Sequence, residues 1–212
     1  MVRKGYVERQ LEGLALVLAR IAGLPDPGVD ASRRKLEEAC RELTGLDLAT
    51  LASLSDATLL GCFAAGDRAR RAGNAAVAAR LLEERARLEP GGAPGLRRKA
   101  LLLAAEAVAL EPALRTGVFR EAFERLRGHS GGPGAPPIVR AALAQADEAL
   151  GRLAAAESAW MRLEDDGDPA AMANRLDFYV RALELPDSEI EAGGLSREEI
   201  LEMLRHCEGT SR

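Results

Sequence analysis

The sequence predicts an all-α fold, and three observations carry that prediction. Apolar residues recur at alternating spacings of three and four, the period of a helix face. Aromatics make up only 3% of the 212 residues, so the core must be built from Leu and Ala, which suits closely approaching helices better than a sheet. No run alternates with the period of two that marks a half-buried strand. At 47% hydrophobic and 29% charged, the chain has the balance of a folded protein.

The first helix is expected over about 2–22. Val7, Leu11, Leu14, Leu18 and Ile21 form one stripe along it, and Leu24-Pro25-Asp26-Pro27-Gly28 stops it. Arg3 and Lys4 ahead of the apolar run 14–19 could begin a targeting leader. Glu8, Arg9 and Glu12 interrupt the approach, however, and Arg20 closes the run too early, so neither secretion nor membrane insertion is expected. Asp30 is the expected cap of a second helix that turns Leu36, Ala39, Cys40 and Leu43 inward and ends at Gly45. A short segment, 46–54, leads to Ser55, another N-cap, and to a third helix through Leu59, Leu60, Phe63 and Ala69. Gly73-Asn74 reads as its break, and a fourth helix carries Ala78, Leu81, Leu82 and Leu88 to Pro90.

Beyond the turn 91–95, a fifth helix is expected over 96–110 and a sixth over about 116–127. The longest break, Gly128 to Pro137, follows. Two helices then flank Gly151. Asp168-Pro169 reads as the start of a helix to about Leu183, with proline at the first helical position. Ser196 and Glu199 form a capping box, and Leu195 with Ile200 supplies its hydrophobic staple.

Paired helices invite a search for an internal repeat. Around Gly73, Gly66 lies seven residues before, with Ala78, Leu82 and Pro90 five, nine and seventeen after. Around Gly151, Ala144 lies seven before, Ala156 and Trp160 five and nine after, and Pro169 one position late. This spacing resembles the tetratricopeptide repeat (TPR), in which small residues sit where two antiparallel helices touch at roughly 8–10 Å. The two turns lie 78 residues apart, leaving room for one further hairpin around Pro112. Departures are Arg85 at a position usually small and a middle hairpin without a glycine turn. The resemblance covers about 56–170 and implies helical hairpins stacked as a short right-handed solenoid. Residues 1–54 would pack as N-terminal helices on a repeat region 55–212, in one continuous domain. In addition, Tyr6 to Leu14 and Glu42 to Asp47 resemble the opening of an uncharacterised bacterial family of TPR-like proteins with no assigned activity.

Several local patterns have plainer explanations than the chemistry they suggest. Gly128-His129-Ser130-Gly131-Gly132 fits Gly-x-Ser-x-Gly and resembles a thioesterase nucleophile elbow. That device needs a buried strand before the serine, whereas 120–127 read as a charged helix and prolines follow; its base would have to be His206. Residues 65–100 hold nine basic and four acidic side chains, and 141–212 hold seven and sixteen. The basic stretch has no aromatic for base stacking and the net charge is −4, which argues against nucleic acid and for solvated helix faces. Glu164 to Asp168 lacks the ligand spacing of a calcium loop. Cys40, Cys62 and Cys207 have no metal-ligand spacing, and His206-Cys207 has no third group to orient a nucleophile, so no metal or cofactor is expected and a reduced, cytoplasmic compartment fits.

The expected function is a non-enzymatic interaction or scaffold module for a protein or peptide. TPR resemblance implies that the first helix of each pair lines a groove, which would place Phe63, Asp67, Arg70, Arg71, Gln145 and Glu148 on the binding face. The alternative is a structural homo-oligomer, such as a homodimer paired through helix one; a serine hydrolase acting through Gly128, Ser130 and Gly132 is the remotest. Helix one is expected to dock within the chain, on the hairpin around Leu59, Leu60 and Phe63.

Overall fold

The computed structural model describes residues 5–22, 28–132 and 134–210, and every regular element among them is helical. The chain divides into two compact units, 1–135 and 136–212. The expected division after residue 54 therefore falls inside the first unit, and the break lies in the Gly/Pro segment instead.

In the first unit, α1 (Tyr6–Ala22) and α2 (Val29–Thr44) precede two short helices, α3 (Leu48–Ser53) and α4 (Asp56–Cys62). Gly45 closes α2 at φ 75°, as its lack of a Cβ permits, donating its N–H to Arg41 O. Gly28, not Asp30, stands at the N-cap of α2; Asp30 lies in the first turn, where its charge favours the helix end. Asp47 and Ser55 cap α3 and α4 by accepting from the Thr50 and Thr58 N–H groups.

The largest correction concerns Gly73-Asn74. They do not break a helix: α5 (Arg68–Leu88) runs straight through them. The break lies earlier, where α4 ends at Cys62, Gly66 takes φ 101° and Asp67 caps α5 through the Arg70 N–H at 2.8 Å. A glycine inside a helix costs about 1 kcal/mol against alanine, so it needs a packing reason. The reason is α1. A Cβ on Gly73 would lie 2.9 Å from Tyr6 Cε1, while the Tyr6 hydroxyl donates to Asn74 Oδ1 at 2.9 Å and accepts from Gln10 Nε2 at 3.1 Å.

Helix α5 is buried nearly all round because α1, α2 and α3 pack on it, and α6 (Pro94–Leu110) pairs with it along its length. The pair is antiparallel: Arg68 at the start of α5 bonds to Leu110 O at the end of α6, and Arg71 meets Glu106 at 3.2 Å. Ala72, Ala75, Ala76, Ala78 and Ala79 are all fully buried, and their small side chains keep α5 slim enough for close neighbours on its several sides. Beyond a 3-10 turn at Pro112–Arg115, α7 (Gly117–Ser130) packs on α6. Val7 and Leu14 of α1 are buried, and Leu11, Leu18 and Ile21 half-buried, against α5 and α2. Docking within the chain thus holds, although α5 and α2 supply the seat and α4 packs elsewhere, on α6.

The second unit holds α8 (Pro137–Ala149), α9 (Leu153–Asp165), α10 (Ala171–Leu183), α11 (Asp187–Ala192) and α12 (Arg197–Thr210). Gly151 at φ 72° turns α8 into α9, and Ala144, Ala156 and Trp160 are buried as the hairpin spacing requires. Their core continues through Phe178, Tyr179, Ile190 and Ile200. Asp168 and Pro169 form a turn ahead of α10 instead of its first residues; Asp168 Oδ1 accepts from the Ala170 N–H at 2.9 Å. The unforeseen α11 brings Gly193 against the α8–α9 turn, where its carbonyl accepts from the Ala154 N–H at 3.0 Å. The box at the start of α12 is present: Ser196 donates to Glu199 through its N–H (2.7 Å) and hydroxyl (2.8 Å), and Leu195 and Ile200 join the core.

Candidate functional site

Of the six residues expected on a binding face, Phe63, Asp67, Arg71 and Glu148 are engaged within the fold, while Arg70 and Gln145 are exposed. Phe63 is 4% exposed and packs inward at the end of α4; Asp67 is spent on capping α5; Arg71 pairs with Glu106; and the stem of Arg70 lies over Gly66. These four gather at the α4–α5 junction, where burial removes Phe63 from any partner. In the second unit Glu148 is held by a two-pronged bond from Arg181, at 2.7 and 2.9 Å, and Gln145 is exposed on α8.

The Gly-x-Ser-x-Gly segment is also resolved by local structure. Gly128, His129 and Ser130 are the last turn of α7, and His129 Nδ1 bonds to Arg125 O at 2.6 Å. A helix, not a strand, delivers the serine, so the strained strand-to-helix turn of an elbow is not there. The acidic run near 166 is tied into ion pairs, Glu164 with Arg175 at 2.9 Å and Asp166 with Arg140 at 2.5 Å.

What sequence reasoning missed lies on the outer edge of α5. Between α1, α2 and the C-terminal half of α5 runs a groove of about 460 Å³. Leu18, Ile21, Leu36 and Leu88 give it an apolar floor, and Ala19 stands at its lip. Arg80, Glu84 and Arg87 form its polar rim. Helix α1 positions this groove, because the docked stripe leaves Leu18 and Ile21 only half-covered at its C-terminal end.

Arg87 faces a second hollow of about 100 Å³ at the α5–α6 turn, shared with Glu83, Arg97, Arg125, Leu126 and His129. Glu83 organises it. Although only 4% exposed, its carboxylate accepts from Arg125 Nε and Nη2 at 3.1 and 2.8 Å, from Arg87 Nη2 at 3.1 Å, and from Arg80. A buried carboxylate is tolerated only when so satisfied. The basic stretch 65–100 is thus largely consumed inside the fold: Arg85 meets Glu37 at 3.0 Å, Arg98 meets Asp56 at 3.1 Å, and Lys99 bonds to Ala52 O. Burial lowers the Lys99 pKa from its ordinary value.

A family model for DUF6483 matches residues 1–211. The chain belongs to that family. DUF6483 is described as a family of unknown function, so membership identifies relatives without assigning a role to the groove or the arginines. No curated protein and no solved structure matches the chain. Among the described residues of this DUF6483 member, no helix is long and apolar enough to cross a membrane.

Proposed function

We propose that the chain is a non-enzymatic interaction module whose docking surface is the groove between α1, α2 and α5. The single observation behind this reading is an apolar floor of Leu18, Ile21, Leu36 and Leu88 left open beside two arginines and one glutamate. A floor of that kind takes large apolar side chains. Arg80 and Arg87 are paired with Glu83 and Glu84, but Arg125 draws on Glu83 as well, and the one positive charge left in excess favours a carboxylate next to those side chains. The occupant is accordingly a short amphipathic protein segment with bulky apolar residues followed by Asp or Glu. Of the TPR-like reading, the α8–α9 hairpin keeps the spacing, with Ala144, Ala156 and Trp160 buried around Gly151. The Gly73 register is not part of it.

The test is selection of binders from a library of random helical peptides displayed on phage, run against the intact chain. Sequences pairing apolar residues with Asp or Glu are expected, and Ala19→Arg, which fills the lip of the groove from an exposed position, should abolish their binding. Binders indifferent to Ala19→Arg would remove the groove reading.

A second reading is favoured by one observation: Leu16, on the outer face of α1, is 62% exposed beside exposed Ala15. That face fits a second copy of the chain, making a structural homodimer. Light scattering distinguishes the two, since a Leu16-dependent dimer with no peptide binding would supplant the module.

A further inference from the structure

The hollow at the α5–α6 turn has features that helix capping does not require. Arg87 and Arg125 converge on one oxygen of Glu83, and Arg87 also forks onto Glu84 at 2.9 and 3.1 Å. Arg80 bonds to both carboxylates, so three guanidinium charges share two carboxylates. Arg97 adds a further guanidinium to the same hollow, and among the described residues no carboxylate pairs with it. It is held instead against the backbone. Gly92 stands at φ 73°, and a Cβ there would lie 2.5 Å from Arg97 Nη2 and 2.9 Å from its Cζ. The missing side chain is what gives the guanidinium its place. His129 closes the far wall, its ring oriented by the Nδ1 bond to Arg125 O.

We infer that this hollow is an oxyanion-binding site, taking one carboxylate or phosphate group between Arg97, Arg125 and Arg87, with His129 beside it. Its volume, about 100 Å³, leaves room for one such group. Guanidinium is the side chain suited to this work: planar, permanently charged and able to give two parallel N–H bonds to an oxyanion. Glu83 spaces the arginines and offsets part of their mutual repulsion before the anion arrives. Because the hollow and the groove share only Arg87, the site does not depend on the peptide reading.

The experiment is an NMR titration of the intact protein, following the arginine Nε–Hε signals and the His129 ring, with sodium phosphate, sodium acetate and sodium chloride at one ionic strength. Saturable shifts at Arg97 and Arg125 with phosphate, but not chloride, are expected if the group is a phosphate; saturation with acetate identifies a carboxylate. Linear, superimposable shifts in all three salts would report screening alone and overturn the site. Two variants distinguish organisation from net charge. Arg97→Gln removes one charge, whereas Gly92→Ala keeps every charge and displaces the guanidinium; each should weaken binding about tenfold. Unchanged affinity in both, with unchanged circular dichroism, would also overturn the proposal.

Discussion

The ring of Tyr6 occupies the space that a side chain at position 73 would fill, and its hydroxyl then bonds to the neighbouring Asn74. A single contact thus joins the start of the chain to the middle of its central helix.

Gly73→Ala should test that contact by a change of sign. A Cβ 2.9 Å from Tyr6 Cε1 forces the ring away and loosens its bond to Asn74, so the variant should lose about 1–3 kcal/mol of stability. In a Tyr6→Ala background the obstruction is gone. There, Gly73→Ala should instead stabilise by about 1 kcal/mol, the ordinary helix preference. Urea denaturation of the four proteins measures both, and additivity would show that the two residues do not meet.

Gly193→Ala should be costly for a different reason. The new Cβ would meet Leu153 Cγ at 2.6 Å and the backbone oxygen of Gly151 at 2.9 Å, and backbone yields less readily than a flexible side chain. A loss of about 1–3 kcal/mol is expected, with faster amide exchange at Ala154, whose N–H bonds to Gly193 O. Protection at Ala154 equal to wild type would argue against this docking.

The cysteines should separate by reactivity. Cys40 is 0% exposed, and burial pushes its thiol up to about 11, whereas Cys62 is exposed. In a Cys207→Ser background, an aromatic disulfide reagent at pH 8 should label Cys62 promptly. Cys40 should react only as the first unit opens, its rate rising with urea. Equal rates for both would contradict the packing of α2.

Acid should fray α12 from its start. The bonds from the Ser196 hydroxyl and N–H hold the Glu199 carboxyl below its ordinary value of 4.5. A lowered carboxyl pKa stabilises the fold above the unfolded value, and that contribution fades as pH falls through the folded one. Amide exchange at Ser196, corrected for its intrinsic pH dependence, should therefore accelerate below about pH 4.5 in the wild type and show no such step in Glu199→Gln.

Removing residues 1–24 should leave a protein that aggregates or is partly unfolded. The floor under Val7 and Leu14 would be uncovered, and side chains of that size are worth roughly 1.5–3 kcal/mol each when fully buried. A truncated chain that stays monomeric, helical and cooperative in melting would show that α1 is dispensable to the fold.

Elements set by local chemistry were legible in the sequence. Gly45, Ser55, Gly151 and the Ser196–Glu199 box each satisfy backbone groups within a few residues, so sequence spacing alone reveals them. Gly73 was not, because the reason for its presence lies in Tyr6, distant along the chain, and a glycine admitted for close packing looks identical to one that ends a helix. The true break carried a signal, Gly66 followed by the capping Asp67, which the neighbouring glycine obscured. The groove and the arginine hollow had no local signature. Leu18, Leu36 and Leu88 come to line one groove, and Glu83 meets Arg125, only after α5 has gathered other helices around it.

The bond between Tyr6 and Asn74 spans 68 positions. A ribosome adding about 5–20 residues per second needs roughly 3–14 s to cover that distance. During synthesis, therefore, the oily stripe of α1 emerges well before the α5 surface meant to receive it. The α2 segment is made sooner, and Leu43, whose methyl would lie 3.2 Å from a Cβ on Gly13, belongs to the first native contacts the nascent helix can form. Helix α1 is thus fully seated only once α5 has been made.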